Sequence, residues 1–101
     1  MNEKATPERE IRIKFPEGLI GGVYCNLLYV THTKEEFILD FIMVSPPKGA
    51  VVSRVIMSPG HMKRTLAALQ ENLKKYETNI SKIVEAPEPT EGKGKIGFRT
   101  T

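Results

Sequence analysis

The chain has 101 residues, of which 40% are hydrophobic and 27% charged, with a net charge of +3 from 15 basic and 12 acidic residues. This length allows one domain at most, and the composition excludes a wholly disordered protein. The mild positive charge is weaker than that of a dedicated nucleic-acid binder, and a single cysteine, Cys25, excludes an intrachain disulfide. No apolar core of a signal peptide follows the N-terminus, and no apolar run approaches the length of a membrane span. We therefore expect a cytoplasmic protein with no membrane contact.

The first half of the chain predicts β-strands. Residues 1–9 are polar and contain a proline, which predicts a flexible N-terminus. Residues 10–15 (EIRIKF) alternate strictly between polar and apolar side chains, the period of a half-exposed edge strand. Residues 23–31 and 36–44 are rich in aromatic and β-branched side chains and are separated by a hairpin-sized loop. Residues 51–57 predict a fourth strand after SPPKGA, a stretch that we expect to interrupt the sheet.

A long amphipathic helix is predicted after the fourth strand. Ser58 is a good N-cap, Pro59 suits the first helical position, and apolar residues then recur at helical spacing: Met62, Leu66, Leu69, Leu73 and Tyr76. The helix is expected to run from about residue 59 to 78. Residues 84–101 carry no period and predict a disordered tail, which leaves residues 10–83 as a single α+β domain. The predicted fold is a four-stranded antiparallel meander followed by one C-terminal helix.

The third predicted strand is apolar on both faces. Its odd-numbered side chains, Phe37 to Met43, point one way and its even-numbered ones, Ile38 to Val44, the other, and Asp40 is the one charged residue among them. The helix is expected to cover one face only. We therefore expect a second copy of the chain to cover the other face, as a homodimer or a higher oligomer.

Asp40 has a candidate partner in the fourth strand. A register in which paired residue numbers sum to 94 matches residues of similar chemistry: Ile38 with Ile56, Asp40 with Arg54, and Ile42 with Val52. This register predicts a cross-strand ion pair that specifies register more than it adds stability. The side chain of Asn26 is expected to complete the hydrogen bonding of the pair.

Catalytic or ligand chemistry has weak support. The two histidines, His32 and His61, and Asp40 are the candidates for an enzyme or ligand site, but the chain lacks the spacing of a zinc site or of a nucleophile motif. We expect no catalytic residue, metal or cofactor, and we interpret Asn26, His32, Asp40, Arg54, Ser58 and His61 as a structural polar network or a candidate site. A basic set is expected to contact an anion or, weakly, nucleic acid: Lys63, Arg64, Lys93, Lys95 and Arg99.

Two stretches, NLLYVTHTKEEFILDF and SRVIMSPGHMKRTLAALQENLKKYE, resemble a small family of bacterial and archaeal proteins catalogued as a domain of unknown function. The resemblance covers about residues 11–78. Its motifs fall on these positions: Asn26, His32, Asp40, Phe41, Ser58, Pro59, His61 and Asn72. The resemblance implies that the polar residues share one role, either a structural network or a site, and it implies no activity.

Three functions follow from these patterns. The leading hypothesis is a non-enzymatic, cytoplasmic homodimer that acts as a binding or assembly module with a further protein partner. The first alternative is a small holdase chaperone that receives extended apolar clients, and the second is a weak nucleic-acid-binding accessory protein. Face-to-face and edge-to-edge dimers both remain open, as does exchange of the first strand between subunits.

Overall fold

The computed structural model describes residues 9–89, which form one antiparallel sheet and one helix. A 3-10 turn at Glu17–Leu19 precedes three strands, and the elements of the fold are β1 (Leu27–His32), β2 (Phe37–Ser45), β3 (Lys48–Met57) and α1 (Pro59–Asn79). The α+β class and the antiparallel meander with a C-terminal helix are confirmed. The predicted flexible residues 1–8 and the predicted tail from residue 90 onward lie outside the described part of the chain.

The three strands lie in sequence order, β1-β2-β3, joined by two short turns. In the first turn the Thr33 hydroxyl accepts hydrogen bonds from the backbone N–H groups of Glu35 and Glu36. The second turn is Pro46-Pro47, joined by a cis peptide bond, with Ser45 paired to Lys48 across it. The prediction that SPPKGA interrupts the sheet was therefore wrong. Both prolines lie in the turn, where no ladder N–H is needed, so β3 begins at Lys48 rather than at residue 51.

The predicted first strand is not part of the sheet. Residues 10–15 form no ladder with β1, β2 or β3, so the sheet has three strands rather than four. The 3-10 turn and Gly22, whose φ of 71° favours glycine, stand between this segment and β1. They also delay the start of β1 to Leu27, four residues later than predicted. Alternation shows that a segment can form a half-buried strand, but it does not supply the neighbouring strand.

Helix α1 begins as predicted and ends one residue later. The Ser58 hydroxyl accepts a hydrogen bond from the backbone N–H of His61, and Pro59 occupies the first helical position. Near the start of the helix the Thr65 hydroxyl donates to the sulfur of Met57 at 3.4 Å. Beyond that point α1 does not cover the sheet: Leu66, Leu69 and Leu73 are 51%, 61% and 54% exposed.

The helix was expected to fold back over one sheet face, and this expectation was wrong. Only Ser58 separates the end of β3 from the start of α1. Connections that reverse the chain between a strand and a helix commonly use two to six residues. The one-residue link therefore restricts how closely the helix can return to its own sheet.

The isolated chain buries very little. Among the described residues, the buried side chains are Leu39, Asp40 and Ile42, all in the central strand β2. The radius of gyration is 18.7 Å, whereas a compact domain of this length has a radius of about 13 Å. A packed domain buries one apolar face of each sheet and helix, whereas the helix of this chain leaves its apolar side chains exposed.

Candidate functional site

Asp40 and Arg54 form a two-pronged ion pair on the sheet. Arg54 Nε donates to Asp40 Oδ1 at 2.6 Å, and an Arg54 Nη donates to Asp40 Oδ2 at 2.9 Å. The Asp40 side chain is 8% exposed and the Arg54 side chain 61% exposed. The pair lies on the face that also carries Ile38 and Ile56, which we call the ion-pair face. Its parallel hydrogen bonds fix both orientation and register.

The register of β2 and β3 follows the sequence prediction up to the ion pair. Ile38 pairs with Ile56 and Asp40 with Arg54, as the sum of 94 requires. Beyond Phe41 the register slips by one, so Ile42 lies opposite Val51 and not opposite Val52 as predicted. A β-bulge absorbs Val52 as one extra residue on β3. Matching residue types along two strands cannot reveal a bulge, because both Val51 and Val52 suit a partner such as Ile42.

The ion pair determines how Asp40 titrates. The hydrogen bonds from Arg54 lower the pKa of the Asp40 carboxyl, burial opposes them by a smaller amount, and the positive charge of Arg54 lowers it further. The same hydrogen bonds and the charge of Asp40 raise the pKa of Arg54. Asp40 is therefore ionised at neutral pH, and it accepts hydrogen bonds rather than acting as a proton donor.

We expect the ion pair to stabilise the fold in a pH-dependent way. A carboxyl whose folded pKa lies below its unfolded value of about 4 contributes stability above that pH, and the contribution is lost as the pH falls through the folded pKa. The difference in unfolding free energy between wild type and Asp40→Asn should therefore shrink between about pH 5 and pH 2. Urea titrations at each pH measure it. A difference that stays constant over this range would contradict the assignment.

Asn26 does not join the ion pair, so that part of the prediction was wrong. Its amide nitrogen donates to the carbonyl oxygen of Val44 at 2.9 Å, and its amide oxygen accepts from the Val44 N–H at 2.8 Å. The side chain thus imitates a strand residue and extends the pairing of β1 with β2 by one step. Asn26 therefore stabilises the sheet through side-chain hydrogen bonds to the backbone of Val44, which lies four residues along β2 from Asp40.

Asn26→Ala should lower the free energy of unfolding by about 1–2 kcal/mol, because two hydrogen bonds that join β1 to β2 are lost. Asn72→Ala is the matched control. The amide of Asn72 donates to the carbonyl oxygen of Ala68 within α1, where alanine is the better helix former. Urea unfolding followed by circular dichroism measures both variants. Equal effects would contradict the role assigned to Asn26.

The two histidines contact residues other than Asp40. His32 pairs with Phe37 across β1 and β2, and their rings lie 5.4 Å apart, so His32 is on the face opposite to Asp40. The ring of His61, on the first turn of α1, lies against Arg64 with 3.0 Å between Nδ1 and an Arg64 Nη. Among residues 9–89 no group of three or more histidine, cysteine or acidic side chains is arranged to hold a metal ion.

Two of the predicted basic contacts lie on α1. Lys63 and Arg64 are exposed on the first turns, outside the line of apolar residues. The other three, Lys93, Lys95 and Arg99, lie outside the described residues. Nucleic-acid contact through this set stays a prediction.

The helix and the segment before β1 expose apolar side chains. Four side chains form the helix stripe, one line along α1: Leu66, Leu69, Leu73 and Tyr76. Residues 10–24, which we call the N-terminal arm, expose seven apolar side chains by between 63% and 85%: Ile11, Ile13, Phe15, Leu19, Ile20, Val23 and Tyr24. Leu19 and Ile20 lie in the predicted glycine-rich turn, where no apolar surface was expected, and Val23 and Tyr24 belong to the second predicted strand.

These features define a small α+β protein whose helix and N-terminal arm leave apolar surfaces uncovered in the single chain. A family model described as "Protein of unknown function (DUF3467)" matches residues 1–85, so the chain belongs to this family, and the predicted resemblance is confirmed. Searches of curated proteins and of solved structures each found no match. Within residues 9–89, no helix combines the length and apolar character that crossing a bilayer requires.

Proposed function

We propose that the protein is a cytoplasmic homodimer that acts as a binding or assembly module without catalytic activity. The observation that carries this proposal is the helix stripe, whose leucines are more than half exposed in the single chain. In the proposed dimer the second copy covers the stripe.

The helix stripe needs a cover because α1 has little else to stabilise it. A helix in water gains most of its stability from packing of its apolar face rather than from helix propensity. The side-chain ion pair found along α1, between Glu71 and Lys75 at 3.6 Å, is exposed on both sides and contributes little. Burying a leucine side chain fully contributes about 1.5–3 kcal/mol. Covering three half-exposed leucines is therefore the largest gain open to the helix.

The single chain exposes more surface than a dimer interface has to bury. The chain exposes 9823 Å², whereas a compact monomer of 11.3 kDa exposes about 5,700 Å². Stable homodimers bury roughly 2,000–5,000 Å² in total, so each chain contributes about 1,000–2,500 Å². The excess surface is thus large enough for an interface of this class.

A second copy suits the stripe chemically. The stripe itself contains no charged residue, while Glu71 and Lys75 lie on the other side of the helix. Two stripes related by a two-fold axis therefore meet without like-charge repulsion. Homodimers are also the commonest closed assemblies, since one apolar surface serves both partners.

Light scattering on a sizing column tests the proposal on the full chain. We expect a mass of twice 11.3 kDa at micromolar concentration. A mass of one chain, with the helix still formed by circular dichroism, would overturn it.

A holdase function is the second candidate, because the N-terminal arm adds a further exposed apolar surface that an extended client chain can contact. Suppression of the aggregation of a heat-denatured client separates the two functions. A monomer that suppresses aggregation at equimolar ratio supports the holdase, and a dimer that does not suppress it supports the assembly module.

A further inference from the structure

We propose that residues 10–15 of one copy add as a fourth strand to the outer edge of β3 in the second copy. This inference rests on the proposed homodimer and assigns an interaction surface within it. The occupant of the β3 edge is thus a named segment of the same chain.

Residues 10–15 have the properties of a strand that lacks a neighbour. They alternate Glu10, Arg12 and Lys14 with Ile11, Ile13 and Phe15, the period of a strand with one buried face. The three apolar side chains are 76%, 85% and 67% exposed, and the segment is in no helix, turn or ladder. The family match spans residues 1–85, so the segment belongs to the family's domain and is not an appended tail.

The outer edge of β3 can accept such a strand. In the order β1-β2-β3, the strand β3 pairs with β2 on one side, and no strand of the described residues lies on its other side. A strand edge of this kind presents unpaired N–H and C=O groups to a further strand. β3 has ten residues against six in β1, and its residues 54–57, on the helix side of the bulge at Val52, can pair with residues 10–13 of the segment.

The side chains of the two strands match when Ile11, Ile13 and Phe15 lie on the face opposite to the ion pair. On that face β3 places Val55 and Met57, so the segment would extend an apolar surface. Its polar side chains then lie on the ion-pair face beside Arg54. The Arg54 guanidinium has five N–H donors, and Asp40 accepts two of them. The Glu10 carboxylate supplies an acceptor of opposite charge for the rest when Glu10 lies opposite Arg54. A segment parallel to β3 in this register places Ile11 beside Val55 and Ile13 beside Met57.

The second copy, not the same chain, is the economical donor of the segment. Within one chain, residues 16–26 join the segment to β1, which lies at the far side of the sheet from β3. Reaching its own β3 edge would carry the segment past three strands, a distance of roughly 14 Å, across one sheet face. In a symmetric dimer each copy gives its segment to the other without this crossing.

Two double variants test the contribution of the segment to the dimer. Ile11→Ser/Ile13→Ser removes the apolar side, and Arg12→Ser/Lys14→Ser changes the polar side by the same number of residues. We expect the first to raise the dissociation constant of the dimer at least about tenfold by sedimentation equilibrium, and the second to change it less than about threefold. Equal effects would overturn the proposed orientation of the segment.

Paramagnetic broadening tests the contact itself. A spin label is attached to Arg12→Cys in a Cys25→Ser background, in protein without isotope labels. This protein is refolded together with ¹⁵N-labelled Cys25→Ser protein, so that mixed dimers form. We expect broadening of the β3 amides, residues 50–56, in the ¹⁵N-labelled copy. Broadening of β1 alone, or none in a sample that is dimeric by mass, would overturn the inference and leave the homodimer intact. A monomeric sample would instead overturn the proposed function on which it rests.

Discussion

Leu69→Glu should convert the proposed dimer to a monomer and melt much of α1. Leu69 is 61% exposed in the single chain and lies at the centre of the helix stripe. A carboxylate there would be taken out of water by the second copy without a positively charged partner in the stripe, which is strongly unfavourable. We expect the dissociation constant to rise by more than about 100-fold, a change of roughly 3 kcal/mol or more. Light scattering and the helical signal in circular dichroism measure both effects.

Ala67→Glu is the matched control for this substitution. It introduces the same charge two residues away, on the side of the helix away from the stripe. The control should keep the mass and helical content of the wild type. If both variants remain dimeric, the stripe is not the interface.

Asp40→Leu should destabilise the protein strongly, and Arg54→Leu added to it should restore most of the loss. Removing the carboxylate leaves the Arg54 charge without its partner, whereas removing both charges leaves an apolar pair. In a monomer the effect would be small, because Arg54 is 61% exposed and can turn to water. In the proposed dimer Glu10 of the second copy would remain beside Arg54 but would not replace the two hydrogen bonds that Asp40 accepts, so the single substitution should lower Tm by roughly 10 °C.

Thermal unfolding of wild type, both single variants and the double variant completes the cycle and isolates the coupling between the two residues. We expect the double variant to melt within a few degrees of the wild type. A single Asp40→Leu variant with an unchanged Tm would show that the pair is an ordinary surface contact.

Local patterns in this chain predicted the elements that short-range chemistry decides. The N-cap at Ser58, Pro59 in the first helical position, and the pairing of Asp40 with Arg54 were all readable from residue types and spacing. Strand boundaries at residues 27 and 48 were missed, because Gly22 and the Pro46-Pro47 turn act through backbone geometry that residue type alone does not fix.

The assembly of the elements was harder to predict. The alternation of residues 10–15 and the apolar stripe of α1 each indicate a buried face. We assigned the stripe to the sheet of the same chain and left exchange of residues 10–15 between subunits open. The structure leaves both faces uncovered. Periodicity identifies a surface that must be buried, but it cannot tell whether the cover is the same chain or a second copy. The role of Asn26 was missed for a related reason, since an amide pairs equally well with a backbone or with an ion pair.

Isotope-filtered NMR on a mixed dimer tests the central claim most directly. One copy carries ¹³C-labelled leucine methyl groups and the other is unlabelled. A nuclear Overhauser effect observed between the two copies therefore crosses the interface. We expect cross-peaks from the methyl groups of Leu66, Leu69 and Leu73 to protons of the unlabelled copy. A dimer that shows none from these three leucines, or a chain that is monomeric with α1 fully formed, would contradict the account.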